Sequence, residues 1–158
     1  MHGYTDSDWA GNLVDHKSIT GILWILCSAP IGWSSQKQSS IVLSSTEGEY
    51  VAMTKGTHDT LWYQNLLNNL DHPMHNPTPI FVENQSAIAI AWNEKFSDWT
   101  KHLEVRHHFM WEKLEDGSIT LKYIPTDRQL ADMLTKPLVK DQLYKLGDEM
   151  GVSGLHSP

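Results

Sequence analysis

From Ser45 to about Leu70 the sequence supports one uninterrupted helix, and that helix constrains everything around it. Ser44 is the expected N-cap. Ser44-x-x-Glu47 fits a capping box, in which the Ser hydroxyl accepts from the N–H of residue 47 and Glu47 reaches back to the N–H of residue 44. The prolines of His72-Pro73-Met74-His75-Asn76-Pro77-Thr78-Pro79 stop the helix. Glu47 and Glu49 lie about 200° apart around the axis, so they face different ways. Glu49 shares a stripe with Ala52, Met53, Gly56, Thr60, Tyr63 and Leu67, which is small or apolar enough to press on a sheet. Glu47 falls beside Thr54, Lys55 and His58 and reads as solvated. A carboxylate on the buried side, near the helix N-terminus, requires a cation, a set of donors or a proton.

Strand signals surround this helix. His2 to Trp9 reads as a strand, with Asp6 and Asp8 on one face at period two; a strand-ending Asx turn is an equal reading for Asp8. Ala10 to Lys17 reads as a loop. Ile19 to Cys27 is nearly all apolar, as in a strand covered on both faces. Ser28-Ala29-Pro30 reads as a turn, and Ile31 to Gln38 as its hairpin partner. Beyond the prolines, Ile80 to Glu83 is a short buried strand, and a helix follows from Asn84 to about Trp92. Glu83 thus sits where a strand hands over to a helix, the place where sites form in open α/β sheets. Asn93 to Thr100 is a loop. Lys101 to about Glu115 is an amphipathic helix with Leu103, His107, Met110 and Leu114 in one stripe. Ser118 to Ile124 alternates as a strand. Thr126-Asp127-Arg128-Gln129 reads as a second capping box, opening a helix that contains Asp132 and runs to about Lys136. A last helix is expected over Leu138 to Met150. The expected fold is α/β: a mixed sheet with helices on both faces, over a single domain of residues 1–150 with a flexible tail at 151–158.

Composition narrows the function classes. The chain has 158 residues, 40% of them hydrophobic and 20% charged, which suits one globular domain. No apolar run is long enough to span a membrane, and Met1 opens no signal-peptide pattern. Cys27, alone of its kind, excludes an internal disulfide and reads as a buried, inert thiol. The net charge of −7 argues against a stand-alone nucleic-acid binder but not against a nuclease whose acids hold cations. His72 with His75, and His102 with His107 and His108, match no common zinc spacing; solvated-loop, packing and surface roles are expected. The start of the chain in a strand-like segment suggests a piece of something longer. No Gly-x-Ser-x-Gly elbow supports a serine hydrolase.

Several ordered blocks carry a resemblance. They are Gly3-Tyr4-Thr5-Asp6-Ser7-Asp8-Trp9-Ala10-Gly11, Lys17-Ser18-x-Thr20-Gly21, Trp33-Ser34-Ser35-Gln36-Lys37-Gln38 and Leu43-Ser44-Ser45-Thr46-Glu47-Gly48-Glu49-Tyr50. Further along come Glu83-Asn84-Gln85-Ser86-Ala87, Thr100-Lys101-His102, Arg106-x-His108-Phe109, Tyr123-Ile124-Pro125-Thr126 and Leu130-Ala131-Asp132-Met133-Leu134-Thr135-Lys136-Pro137-Leu138. Over roughly residues 3 to 150 the chain resembles the ribonuclease H domain that closes the polyprotein of copia-type LTR retrotransposons. The resemblance implies a ribonuclease H-like fold with a mixed five-stranded sheet, and hydrolysis of the RNA strand of RNA–DNA hybrids. It implies that Asp6, Glu49, Glu83 and Asp132 are catalytic and hold two Mg²⁺ ions, for which Mn²⁺ can substitute. Two such ions about 3.5–4 Å apart grip an in-line phosphoryl displacement from both ends. Ser45, Asn84 and Gln85 are candidate donors to the nucleic acid, and Lys37, Lys101 and Arg128 candidate phosphate contacts; ordinary surface roles are equally open to each. The implied partners are the hybrid and, if joined, the reverse transcriptase domain of the same polyprotein, with no membrane. The implied location is intracellular, in a cytoplasmic virus-like particle or the nucleus.

The chain departs from the family pattern at two places. Glu83 stands where the family has aspartate, adding one methylene beside ions that tolerate little displacement; reduced cleavage with a preference for Mn²⁺ is expected. The segment from Pro125 to Asp132 is short and carries Asp127 but no histidine, where many ribonucleases H have a histidine-bearing loop that helps product release. Slow turnover is expected. The competing reading is a catalytically weakened or inactive module that binds nucleic acid or a protein partner.

Overall fold

The computed structural model describes residues 1–9, 16–94 and 101–152, apart from the side chains of Lys101 and His102. The loops expected at Ala10 to Lys17 and Asn93 to Thr100, and most of the expected tail, therefore lie largely outside the described residues. Strands β1 (His2–Asp8), β2 (Ile19–Leu26) and β3 (Ala29–Lys37) form an antiparallel meander. Helix α1 (Ser45–Asn69) leads to β4 (Thr78–Val82), which pairs parallel to β1, and α2 (Gln85–Ala91) and α3 (Lys101–Glu115) lead to β5 (Ile119–Tyr123), parallel to β4. Two 3₁₀ turns, Thr126–Arg128 and Leu130–Leu134, and helix α4 (Lys140–Glu149) complete the described chain. The sheet order is β3-β2-β1-β4-β5, the mixed five-stranded arrangement that the sequence led one to expect.

The continuous apolar run of β2 has a simple cause. Ile22 and Trp24 enter one core with Tyr50, Met53, Ile80, Val82, Met110 and Leu114, while Leu23 and Ile25 enter a second with Leu130, Leu146 and Met150. One strand thus feeds both faces of the sheet, and alternation is lost because neither face is wet. Helices α1 to α3 cover the first face; the second 3₁₀ turn and α4 cover the other.

Helix α1 forms where its cap and stop signals place it. Ser44 Oγ accepts from Glu47 N–H at 3.1 Å. The other half of the box differs: Glu47 Oε2 accepts from the N–H of Leu43, at 2.7 Å, rather than that of Ser44. Glu47 is buried rather than solvated, as is Thr54, because the segment before α1 folds over this flank and needs an acceptor for its own N–H. The threonines on the packed side satisfy their hydroxyls within the helix, Thr54 on Tyr50 O, Thr57 on Met53 O and Thr60 on Gly56 O at 2.8–2.9 Å.

Two other expectations are corrected. The β2–β3 turn is at Cys27-Ser28, both with positive φ (50° and 65°), as a two-residue type I′ hairpin requires. Cys27 is therefore exposed, not buried. Ala29 and Pro30 already belong to β3, an edge strand where a missing N–H is tolerated, and the ladder shifts register past Trp24. The helix expected from the second capping box is instead the pair of 3₁₀ turns, and Thr126 provides no side-chain cap. Gln129 takes that role for the second turn, its side chain accepting from Ala131 N–H.

Gly56 is where α1 approaches β1 most tightly: a Cβ there would lie 2.5 Å from Thr5 Cγ2. Gly56→Ala should destabilise the domain by about 1–3 kcal/mol through overpacking. Urea denaturation checks this; an unchanged midpoint would contradict the close approach.

Candidate active site

Each acid reaches the site from a different element. Asp6 lies on β1, opposite Gly21 of β2. The parallel register of β1 and β4, Gly3 with Ile80 and Tyr4 with Phe81, carries on two residues to bring Asp6 level with Glu83. Tyr4 and Phe81 stack on each other at 5.1 Å along the same row. Glu83 follows directly on β4, and Asn84 then caps α2 by accepting from Ala87 N–H at 2.9 Å. Asp132 comes from the second 3₁₀ turn. Ligand atoms of Asp6, Glu83 and Asp132 all lie within 4.8 Å of one another. Glu49 stands beside this group, not within it: from α1 its Oε1 accepts from Ser7 N–H at 3.2 Å, which seats it against Asp6.

Burial is severe. Asp6 is 2% exposed, Glu49 3% and Asp132 0%. Among the described residues, four buried carboxylate oxygens find no hydrogen-bond partner, Glu49 Oε2, Glu83 Oε2 and both oxygens of Asp132, of which Oδ2 has an ion pair with Lys136. Desolvation pushes the Glu49 carboxyl well above the ordinary range, and the charges of Asp6 and Glu83 push it further, against the Ser7 N–H. Asp132 rises to about 6, first through burial and then through Asp6 and Glu83, although Lys136 opposes this. The Lys136 ammonium lies 3.0 Å from Asp132 Oδ2. Burial lowers its pKa, but Asp132, Asp6 and Glu83 outweigh burial and hold it up. Orphaned, mutually repelling oxygens of this kind suit a hard divalent cation.

Among the described residues this is the group of acids, histidines and cysteines disposed to hold a metal. His72 and His75 are exposed. His107 is buried and sits against Ile90 O at 3.1 Å and the Tyr50 ring, a packing role, while His108 is exposed. Of the candidate nucleic-acid contacts, Ser45 and Gln85 are exposed at the starts of α1 and α2, and Asn84 is half-buried, 3.5 Å from Thr46 Oγ1. Lys37 and Arg128 are exposed, on β3 and the first 3₁₀ turn. The Lys101 side chain lies outside the described residues.

Sequence reading missed three supports. Gln38, 6% exposed, donates to Ser7 Oγ, Thr20 Oγ1 and Gly48 O at 3.0–3.2 Å and so ties β1, β2 and α1 together beside the acids. Lys136 and Thr135 meet Asp132 and Asp6. All three stand inside the quoted sequence blocks, which was the signal available; no periodicity marks them.

Raised carboxyl pKa values have a sign. A carboxyl whose folded pKa exceeds its unfolded value binds more protons when folded, so its stabilising contribution is present at low pH and is lost as pH rises through the folded pKa. For Asp132 that window runs from about 4 to about 6, and Glu49 extends it upward. The melting temperature of the metal-free protein should therefore carry a component that falls from about pH 4 through about pH 6 and continues upward through Glu49. Glu49→Gln should flatten it and raise the value at pH 7.5 by about 2–4 °C, the equivalent of about 1 kcal/mol. A lower melting temperature for Glu49→Gln at pH 7.5 would contradict this.

Comparison with known proteins bears on fold and lineage. No family model matches the chain. It is 34% identical over 153 residues, 97% of its length, to the Retrovirus-related Pol polyprotein from transposon RE1 of Arabidopsis thaliana. It is 35% identical over 158 residues, 99% of its length, to that from transposon TNT 1-94 of Nicotiana tabacum. The chain spans about a tenth of the length of these relatives: 10% of the first and 12% of the second. Among solved structures, LC11-RNase H1 from compost superposes with a TM-score of 0.63 at 16% identity, covering 84% of this chain and 90% of that one. RNase H1 from Halobacterium salinarum NRC-1 gives 0.62 at 12% identity, over 91% and 97%. The solved structures show the fold and the polyproteins the lineage: the chain belongs with the Pol polyproteins of retrotransposons, as a segment of ribonuclease H-like fold.

Proposed function

We propose that this chain is a divalent-metal-dependent endonuclease that hydrolyses the RNA strand of RNA–DNA hybrids, as a retrotransposon needs during reverse transcription. The convergence of Asp6, Glu83 and Asp132 within 4.8 Å, with Glu49 against Asp6, carries the proposal. The donor set is all oxygen, which fits Mg²⁺, or Mn²⁺ in its place. Asp6, Glu49, Glu83 and Asp132 would hold the ions. When bound, the ions polarise the phosphoryl oxygens and lower the pKa of the attacking water. The longer Glu83 side chain still brings its carboxylate into the group, which supports an active enzyme over the weakened or inactive module.

What the chain itself supplies is position and charge. Gln38 fixes α1 on β1 and β2, and so fixes Glu49 relative to Asp6. Lys136 places one cation beside Asp132, where the scissile phosphate would be attracted. A cleft of about 420 Å³ between β3, α1 and α3 is lined by Lys37, Lys55, His58 and Arg106, and Arg106 Nη1 is buried with no partner among the described residues. It concentrates basic groups in a chain of net charge −7 and supports backbone contact with a nucleic acid. A related fold, LC11-RNase H1, has been solved in complex with an RNA/DNA hybrid, with a TM-score of 0.58 at 14% identity over 89% of this chain and 97% of that one; that supports the substrate class. The reverse transcriptase region of the same polyprotein is the proposed covalent neighbour. No helix among the described residues is long and apolar enough to cross a membrane.

Labelled hybrid incubated with the purified chain in Mg²⁺ and in Mn²⁺ tests this. Wild type should cut the RNA strand, and Asp6→Asn and Glu49→Gln should each lower the rate by about a thousandfold or more, the equivalent of about 4 kcal/mol of transition-state stabilisation. No cleavage in either metal by a folded wild type would favour the non-catalytic module. Glu83→Asp should raise the rate, more in Mg²⁺ than in Mn²⁺; an equal or lower rate would contradict the cost assigned to the extra methylene.

A further inference from the structure

We propose that Thr135 is a positioning residue for the metal-holding acids: its hydroxyl sets the rotation of the Asp6 carboxylate and ties it to the backbone that carries Asp132. The inference rests on the metal site proposed above. Thr135 is 4% exposed, and its Oγ1 meets both Asp6 Oδ2 and, at 3.1 Å, the carbonyl oxygen of Asp132. A hydroxyl has one proton to give, and a carboxylate is the stronger acceptor, so it donates to Asp6; the tie to Asp132 runs through the backbone, where Thr135 N–H donates to Asp132 O at 3.2 Å. Asp6 and Asp132 come from distant parts of the chain, and this hydroxyl lies between them.

The surrounding packing leaves Thr135 little freedom. Gly21, directly across the ladder from Asp6, has no Cβ; one placed there would lie 2.7 Å from both Ala131 O and Thr135 Cγ2. The missing side chain lets the second 3₁₀ turn settle on β2, with the Thr135 methyl against the Gly21 backbone. On the other side Gln129, fully buried, donates to Thr5 O at 3.0 Å and accepts from Ala131 N–H at 3.3 Å. The turn that carries Asp132 is therefore pinned to β1 at Thr5 and again at Asp6. Of these two pins only Thr135 touches a carboxylate of the site. Outer partners that orient a ligating carboxylate change metal affinity as well as structure. A residue that merely closed the turn would change stability alone.

The test compares Thr135→Val, which removes the hydroxyl at nearly constant volume, with Thr135→Ser, which keeps it, in the purified 158-residue chain. Mn²⁺ binding is followed by calorimetric titration, and kcat and KM on the hybrid are measured beside it. Thr135→Val should bind Mn²⁺ about tenfold more weakly, lowering kcat at limiting metal while KM for the hybrid is held. Thr135→Ser should restore Mn²⁺ affinity to near the wild-type value. Wild-type affinity in Thr135→Val overturns the proposal, and so does equal loss in Val and Ser, which would assign the effect to the methyl and to packing. A wild type that binds Mn²⁺ but leaves the hybrid uncut removes the nuclease reading alone, since the titration still decides the role of Thr135. A wild type that binds no Mn²⁺ overturns both.

Discussion

Four carboxylates brought into one largely buried site repel one another, and the fold has to hold them together against that repulsion. Coulomb energies between unit charges at such spacing are large wherever water is excluded. The protein answers with fixed hydrogen bonds and one cation: Ser7 N–H on Glu49, Thr135 on Asp6, Lys136 on Asp132. These are insufficient, as the orphaned oxygens and the raised pKa values of Glu49 and Asp132 show. The proposed divalent cations would relieve electrostatic strain of this kind, which links stability and proton uptake in one set of residues.

The architecture carries the strain by distributing the acids over rigid elements. Asp6 and Glu83 stand at one end of adjacent parallel strands, so their spacing follows from the ladder. Glu49 rides on α1, which Gln38 and the close contact at Gly56 clamp to the sheet. Asp132 alone sits on a 3₁₀ turn, the least regular support, and that is where additional pins, Gln129 and Thr135, are concentrated. Charge is divided in the same way: acids at the ends of the inner strands β1 and β4, and a basic cleft between β3, α1 and α3.

Much of this was legible in the sequence. Helix geometry alone separated Glu49 from Glu47, and the motif blocks chose the same residue. The continuous apolar run of β2 announced a strand covered on both sides. Misreadings had local causes. Cys27 was assigned to the core by its apolar neighbours, but hairpin twist places it in a turn of positive φ. Glu47 was assigned to solvent by helical phase, yet the preceding segment folds over it, a tertiary contact that a helical wheel does not contain. Thr126 imitates a cap, but the chain tightens into 3₁₀ turns because the turn is held by Gln129 and Thr135 from the sheet side. The roles of Thr135, Lys136 and Gln38 depend on contacts distant in sequence, which no spacing rule reveals.

Calorimetric titration of Mn²⁺ into the metal-free wild type at pH 6, in two buffers of different ionisation enthalpy, tests the central claim most directly. If the raised pKa values of Glu49 and Asp132 come from burial and from the crowding of neighbouring acids, metal binding must expel their protons. The account predicts binding with net proton release, both lost in Asp6→Asn. Absence of binding at millimolar Mn²⁺, or binding without proton release, would contradict it.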